Sequence, residues 1–208
     1  MSYKKHIIDT MKRLYTNKYI SIRDGNVSFK PKNENYFYIS AGQIRKDKIN
    51  EDQVIKVNFE KKDIIYKSKQ NDKYNLIYDK NYTYMPSREI YMHSYLQTLE
   101  ENYNKDMFVV HAHPPNIISY TGLTKGKELM TIRKIFPELN VSSIGNNVKY
   151  FEAGTYDLAN NCFQNLKEHS IVALERHGSL SIGHDIDKIF EDIETLEYYI
   201  DIELKSKN

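Results

Sequence analysis

Nine consecutive residues, Met107-Phe108-Val109-Val110-His111-Ala112-His113-Pro114-Pro115, constrain this chain more than any other stretch. Four apolar residues lead into a His-x-His pair, and two prolines stop the extended run. The pattern predicts a buried β-strand whose end delivers two imidazoles. Strand side chains alternate between faces, so His111 and His113 share one face. Two neutral imidazoles side by side suit a transition metal, and zinc takes tetrahedral N, O and S ligands. The same pair also occurs as an incidental feature of a strand end, so a metal centre requires a third ligand and a carboxylate from elsewhere.

Ser170-Ile171-Val172-Ala173-Leu174-Glu175-Arg176-His177-Gly178 repeats the pattern, an apolar strand ending in a histidine with a glycine that permits close backbone approach. His177 is the third candidate ligand; the alternative is a histidine hydrogen-bonded at a strand end. The carboxylate comes from Met85-Pro86-Ser87-Arg88-Glu89-Ile90-Tyr91-Met92-His93. Pro86 and Ser87 are helix-start signals. A helix from there to about Glu101 puts Glu89 in its first turn, His93 one turn further on the same face, and Ile90, Leu96 and Leu99 inward. The free N–H groups and positive dipole end of such a helix suit a phosphate beside Ser87 and Arg88. The competing reading is local: Ser87 caps the helix, Arg88 is solvated and Glu89 answers the dipole.

Elsewhere, residues 3–19 carry an apolar stripe of Ile7, Ile8, Met11, Leu14 and Tyr15 at helical spacing. Residues 27–29 and 36–39 read as a hairpin that ends in Ser40-Ala41-Gly42, a small-residue turn whose N–H groups are placed to face an anion. Residues 54–59 and 63–67 read as further strands, and residues 126–136 have helical character. A helix from Tyr156 to Lys167, capped by Gly154-Thr155, makes Cys162 a core residue and leaves His169 exposed in the next turn. Residues 179–183 form a short strand, and Asp185 caps a last helix with Ile186, Ile189, Phe190, Ile193, Leu196 and Ile200 inward. His6 and His184 read as surface residues. No internal repeat or Gly/Ser-rich linker divides the chain, so residues 1–208 are expected to form one domain.

Charge narrows the partners. Thirty Lys and Arg against twenty-eight Asp and Glu leave a net charge of +2, which argues for neither a nucleic-acid nor a membrane partner. No apolar run reaches membrane-spanning length, and the first residues lack a signal-peptide core. Cys162 is the only cysteine, so no intrachain disulfide forms and a reducing, cytoplasmic compartment is expected.

Gly25-Asn26-Val27-Ser28, Ser40-Ala41-Gly42, Pro86-Ser87-Arg88-Glu89, His111-Ala112-His113 and His177-Gly178 follow one another along nearly the whole chain. In order and spacing they resemble the class II aldolase/adducin family. The resemblance implies an α/β fold, three-layer α/β/α with a largely antiparallel central sheet, assembled as a homotetramer with sites near subunit interfaces. It implies His111, His113 and His177 as ligands of one Zn2+ per subunit, or of another divalent transition metal. It gives Glu89 the part of catalytic carboxylate, able also to occupy a metal position. Gly25, Asn26, Ala41, Gly42, Ser87 and Arg88 fall where the family binds the substrate phosphate.

The implied reaction is a lyase reaction, reversible cleavage of a ketose phosphate to dihydroxyacetone phosphate and an aldehyde through an enediolate. Three neutral ligands leave zinc its full charge and an open position for substrate oxygens. A carboxylate placed to move the proton on and off carbon typically contributes about 10²–10⁴-fold. The same metal site serves 4-epimerisation of a pentulose phosphate and dehydration of a methylthioribulose phosphate. The adducin-like branch keeps the fold as a non-enzymatic interaction module without the metal; three histidines together with Glu89 argue against that branch. Two departures stand out. Ala41 and Arg88 occupy positions where the family commonly has hydroxyl side chains, and Arg88 offers a planar fork for phosphate or for a carboxylate. The family also borrows a tyrosine from a neighbouring subunit as proton donor. The loosely corresponding Phe136-Pro137-Glu138-Leu139 has none; Glu138 is one candidate substitute, and Tyr198 and Tyr199 near the end are others, although core or surface packing is the favoured reading of those two.

Overall fold

The computed structural model describes residues 2–61, 74–79, 83–122 and 126–206. Among them, seven strands form one sheet: β1 (Asn26–Lys30), β2 (Tyr36–Ser40), β3 (Val54–Lys61), β4 (Tyr74–Ile77), β5 (Met107–Ala112), β6 (Ile171–Leu174) and β7 (Gly178–Gly183). Their order is β4-β3-β2-β1-β5-β7-β6, and every neighbouring pair is antiparallel. In the middle of the sheet Asn26 lies opposite His111, and His111 in turn lies opposite Leu180.

Helices cover both faces. Helices α1 (Tyr3–Thr16), α3 (Pro115–Gly122), α4 (Ile132–Ile135) and α6 (Ile186–Lys205) lie on one side, and α2 (Ile90–Gln97) and α5 (Tyr156–Leu166) on the other. Strand alternation sorts the core between them. Val27, Phe29, Phe108, Val110, Ile171 and Ala173 join Ile7, Met11, Leu14, Ile117 and Ile193 in the larger cluster. Val109, Val172, Leu174 and Leu180 join Met92, Leu96, Leu158, Ala159 and Cys162 in the smaller one. The expected α/β/α layering follows from this division. Two of the helices begin on side-chain caps of the expected kind: Thr155 Oγ1 accepts from Leu158 N at 3.3 Å, and Asp185 accepts from Asp187 N at 2.9 Å.

Several expectations change in detail. The strand expected at 63–67 lies outside the described residues, and β4 pairs with β3 where no strand was expected. Helix α2 ends at Gln97, not near Glu101, and a separate 3₁₀ turn spans Glu100–Asn102. Thr98 Oγ1 binds Ser94 O at 2.7 Å and closes the last turn. Glu89 precedes the first helical residue, with φ −87° and ψ 19°, so it stands at the mouth of the helix instead of in its first turn. His169 is half-buried, not exposed. No helix among the described residues is long and apolar enough to cross a membrane.

Candidate metal centre

Three histidines arrive at one point from two parts of the sheet. His111 is the penultimate residue of β5 and is fully buried. His113 follows the strand, its backbone N–H bound to Tyr19 O at 2.7 Å. His177 sits in the tight β6–β7 turn, three residues past Leu174 where β6 ends, not at the end of the strand as expected; its N–H donates to Leu174 O at 3.0 Å and Arg176 takes φ +58°. Gly178 makes the approach possible. A Cβ there would lie 2.1 Å from Ala112 O and 3.1 Å from the His113 ring, so only glycine lets the turn close against β5. Gly25, at φ +68°, does the same for β1: its Cβ would lie 2.4 Å from Ile20 Cγ2.

One ligand atom from each ring lies within 4.8 Å of the others. His111 Nδ1 donates to Ser179 O at 2.9 Å, which fixes the proton there and turns a bare Nε2 into the site. His113 Nε2 is 2.9 Å from His111 Nε2. Burial, first of all, and the neighbouring imidazoles push both rings down to about 3, so both are neutral near pH 7, the form that binds metals. Glu89 completes the cluster: its Oε2 is 3.3 Å from His111 Nε2 and its Oε1 3.4 Å from His177 Nε2. Ligand atoms on a tetrahedral zinc lie roughly 3.4 Å apart, so these spacings match a shared cation. Glu89 Oε1 is buried without a hydrogen-bond partner, as an oxygen reserved for an ion or a substrate would be. The residues present therefore fit a divalent metal.

Beside the cluster opens a cavity of about 430 Å³, lined by Arg23, Asp24, Gly25, Asn26, Gly42, Lys46, Ser87, Arg88, Glu89, His113 and His177, among others. Five of the six residues expected to hold phosphate border it; Ala41 does not. The expected backbone cradle is absent at the Ala41-Gly42 turn. Ala41 N–H donates to Gln53 O at 2.8 Å and Gly42 N–H to Met85 O at 3.1 Å, so both are engaged within the chain. Asn26 also departs from expectation, because its amide is committed to Glu89 Oε2 at 2.7 Å. What the cavity offers an anion is cationic: exposed Arg88, Arg23, and the buried Lys46, whose Nζ donates to Ala41 O at 2.8 Å. Burial pushes the Lys46 ammonium down to about 8, against the opposing pull of Asp24.

Sequence reasoning missed Lys46, since one lysine among many carries no pattern, and it left His93 without a partner. Exposed Glu138 and the 64% exposed Tyr198 line neither side of this cavity, and nor does Tyr199. A larger cavity of about 950 Å³ at the other end of β1, between Lys30, Tyr36 and Tyr103, holds none of the clustered histidines.

Residues 5–204 match the family described as Class II Aldolase and Adducin N-terminal domain. An L-fuculose phosphate aldolase of Methanococcus maripaludis is 29% identical over 184 residues, 88% of this chain and 86% of that one. A rhamnulose-1-phosphate aldolase of Salmonella heidelberg is 23% identical over 64% of this chain and 50% of its own length. Among solved structures, a sugar-phosphate aldolase from Thermotoga maritima superposes with a TM-score of 0.73 at 20% identity, covering 98% of this chain and 94% of that one. With its match running across 200 of 208 residues, the chain belongs to the class II aldolase and adducin family.

Proposed function

We propose that this protein is a zinc-dependent aldehyde-lyase that reversibly cleaves a ketose phosphate to dihydroxyacetone phosphate and an aldehyde. The observation that carries the reading is the convergence of three imidazoles within 4.8 Å, with the Glu89 carboxylate 3.3–3.4 Å from two of them. His111, His113 and His177 would hold the ion, which when bound would supply a positive charge against the negative charge that grows on the substrate oxygens as the carbon–carbon bond parts.

The chain's own residues do the rest. Arg88, with Ser87 and Lys46 in the same cavity lining, holds the phosphate end of the substrate and so sets which carbon faces Glu89. In cleavage the hydroxyl on the carbon that becomes the aldehyde gives up its proton as the carbon–carbon bond breaks. Glu89, protonated on Oε1, gives one proton to the carbon that becomes the hydroxymethyl group of dihydroxyacetone phosphate, so the proton count is unchanged. In synthesis it removes the same proton. The relatives bearing aldolase names support sugar phosphates as the substrate class. Assembly as a homotetramer follows the family resemblance and is supported by exposed apolar residues on α4 and α6, Ile135, Tyr198 and Ile202. A reducing, cytoplasmic setting suits a chain whose one cysteine is buried and free.

The test is a metal analysis followed by a product assay. The purified protein is expected to hold one zinc per chain and to release dihydroxyacetone phosphate from at least one member of a ketose 1-phosphate panel. Zinc-loaded protein that cleaves none of the panel but epimerises a pentulose 5-phosphate or dehydrates a methylthioribulose phosphate would overturn the aldolase assignment. Protein that takes up no metal would overturn the enzyme reading altogether, in favour of an interaction module.

A further inference from the structure

Behind Glu89, buried polar side chains from β1 and α2 run in single file into the core. Gln97 Nε2 lies 2.8 Å from Ser28 Oγ, Ser28 Oγ 2.7 Å from His93 Nδ1, His93 Nε2 against Asn26 Oδ1, and Asn26 Nδ2 2.7 Å from Glu89 Oε2. All five residues are buried, and Ser28, His93 and Gln97 are completely so. We propose that Gln97, Ser28, His93 and Asn26 form a one-way hydrogen-bond relay in which His93 is a positioning residue: the relay fixes Glu89 Oε2 as a standing acceptor and leaves Oε1 to carry the proton. The proposal rests on the reading of Glu89 as the proton carrier given above.

The direction follows from which groups can donate. An ionised carboxylate only accepts, so Asn26 must turn its NH2 toward Glu89 and its carbonyl toward His93. That carbonyl only accepts, so His93 must donate from Nε2. The neutral ring then has a lone pair at Nδ1, which takes the Ser28 hydroxyl proton, and the Ser28 oxygen in turn takes the Gln97 N–H. Every step has one permitted direction, and all point to Glu89. Aligned donors polarise one another in a low-dielectric interior, which strengthens the last bond in the file.

The consequence is an asymmetry between the two carboxylate oxygens. Oε2 receives the relay, whereas Oε1 has no hydrogen-bond partner among the described residues and is 3.4 Å from His177 Nε2. A proton placed on Oε2 would meet the Asn26 NH2 head on; Oε1 has no hydrogen-bond partner among the described residues to oppose one. The relay thus selects the oxygen on the His177 side, and it keeps Asn26 from swinging toward the substrate. His93 itself lines no part of the cavity and acts through Asn26, whose side chain joins it to Glu89.

Two substitutions separate positioning from bulk. Glutamine places an amide N–H about where His93 Nε2–H stands, whereas asparagine reaches only the Nδ1 position. His93→Asn is therefore expected to lower kcat by about 10–100-fold, the loss typical of removing a supporting partner, with KM and zinc content unchanged. His93→Gln is expected to restore most of the loss. Equal activity of the two variants, in a protein that Glu89→Gln inactivates, would overturn the relay. An active Glu89→Gln enzyme would instead overturn the reading of Glu89, and the relay with it. An independent readout needs no variant to fold: 15N NMR of histidine-labelled, zinc-loaded wild-type protein should show His93 as the neutral Nε2–H tautomer, and an Nδ1–H tautomer would reverse the file and sink the proposal.

Discussion

Strand β1 turns Val27 and Phe29 to one face of the sheet and Asn26, Ser28 and Lys30 to the other, and all five residues are buried. Its neighbour β5 divides in the same way, with Phe108 and Val110 on the first face and His111 on the second. On the apolar face Phe29 packs 4.7 Å from Phe108, and the His6 ring lies 5.1 Å from Phe29. Such contacts are non-directional and scale with area, so a neighbour of similar volume substitutes well. On the polar face each group depends on particular named partners. Lys30 Nζ needs the carbonyls of Pro31, Tyr103 and Lys105, at 3.2–3.3 Å, and Ser28 needs His93 and Gln97. Removing one such partner strands the other at a cost of about 1–3 kcal/mol. One face holds the chain together, and the other spends part of that stability on positioning.

The largest effect should come from the polar face and leave the fold alone. His111→Ala removes one of three imidazoles, and zinc affinity should fall by more than the roughly 10–100-fold that follows loss of a supporting partner. Activity should vanish with the metal, while the circular dichroism of the metal-free protein stays close to wild type and its stability falls by only about 1–3 kcal/mol, for the Ser179 carbonyl left without its donor. Retention of stoichiometric zinc would show that the three rings do not share an ion.

The apolar face should answer in the opposite sense. Phe29→Ala should cost about 3–5 kcal/mol in urea unfolding, yet the folded fraction should still bind zinc and turn over at the normal rate per bound metal. A Phe29→Ala protein of normal stability but impaired metal binding would erase the distinction between the faces.

The apolar face was legible in the sequence because hydrophobic periodicity is a statement about many residues at once. The stripe of Ile7, Met11 and Leu14, the run 107–110 and the spacing from Ile189 to Ile200 each declare which side is inward. The metal cluster was legible for another reason, since two strand ends carry histidines and Gly178 marks the close approach between them. The relay was not legible. Ser28 and Gln97 are ordinary polar residues 69 positions apart, and only the pairing of β1 with β5 beneath α2 brings them together. Asn26 was placed at the phosphate for the same reason, because a motif names a residue but not the direction of its amide. Ala41 and Gly42 show the limit for backbone groups: a turn of small residues looks free until Gln53 O and Met85 O are seen to occupy its N–H groups.

Acid should separate the faces again, with a smaller effect. His93, His111 and His113 have folded values near 3 against 6.5 for the free side chain, chiefly through burial. Above about pH 6.5 both folded and unfolded chains hold these rings neutral, and the rings add no pH dependence. Below it the unfolded chain takes up protons that the folded chain refuses, so the metal-free protein should lose stability as pH falls toward 3, by about 1.4 kcal/mol per pH unit for each ring. His93→Gln removes one of these rings and should flatten the slope between pH 6 and 5, as measured by urea midpoints. Phe29→Ala should lower the whole curve and leave the slope unchanged, because no proton is involved in what Phe29 contributes. If His93→Gln kept the wild-type slope, His93 would be titrating as an ordinary exposed imidazole, and the buried polar face would be open to water.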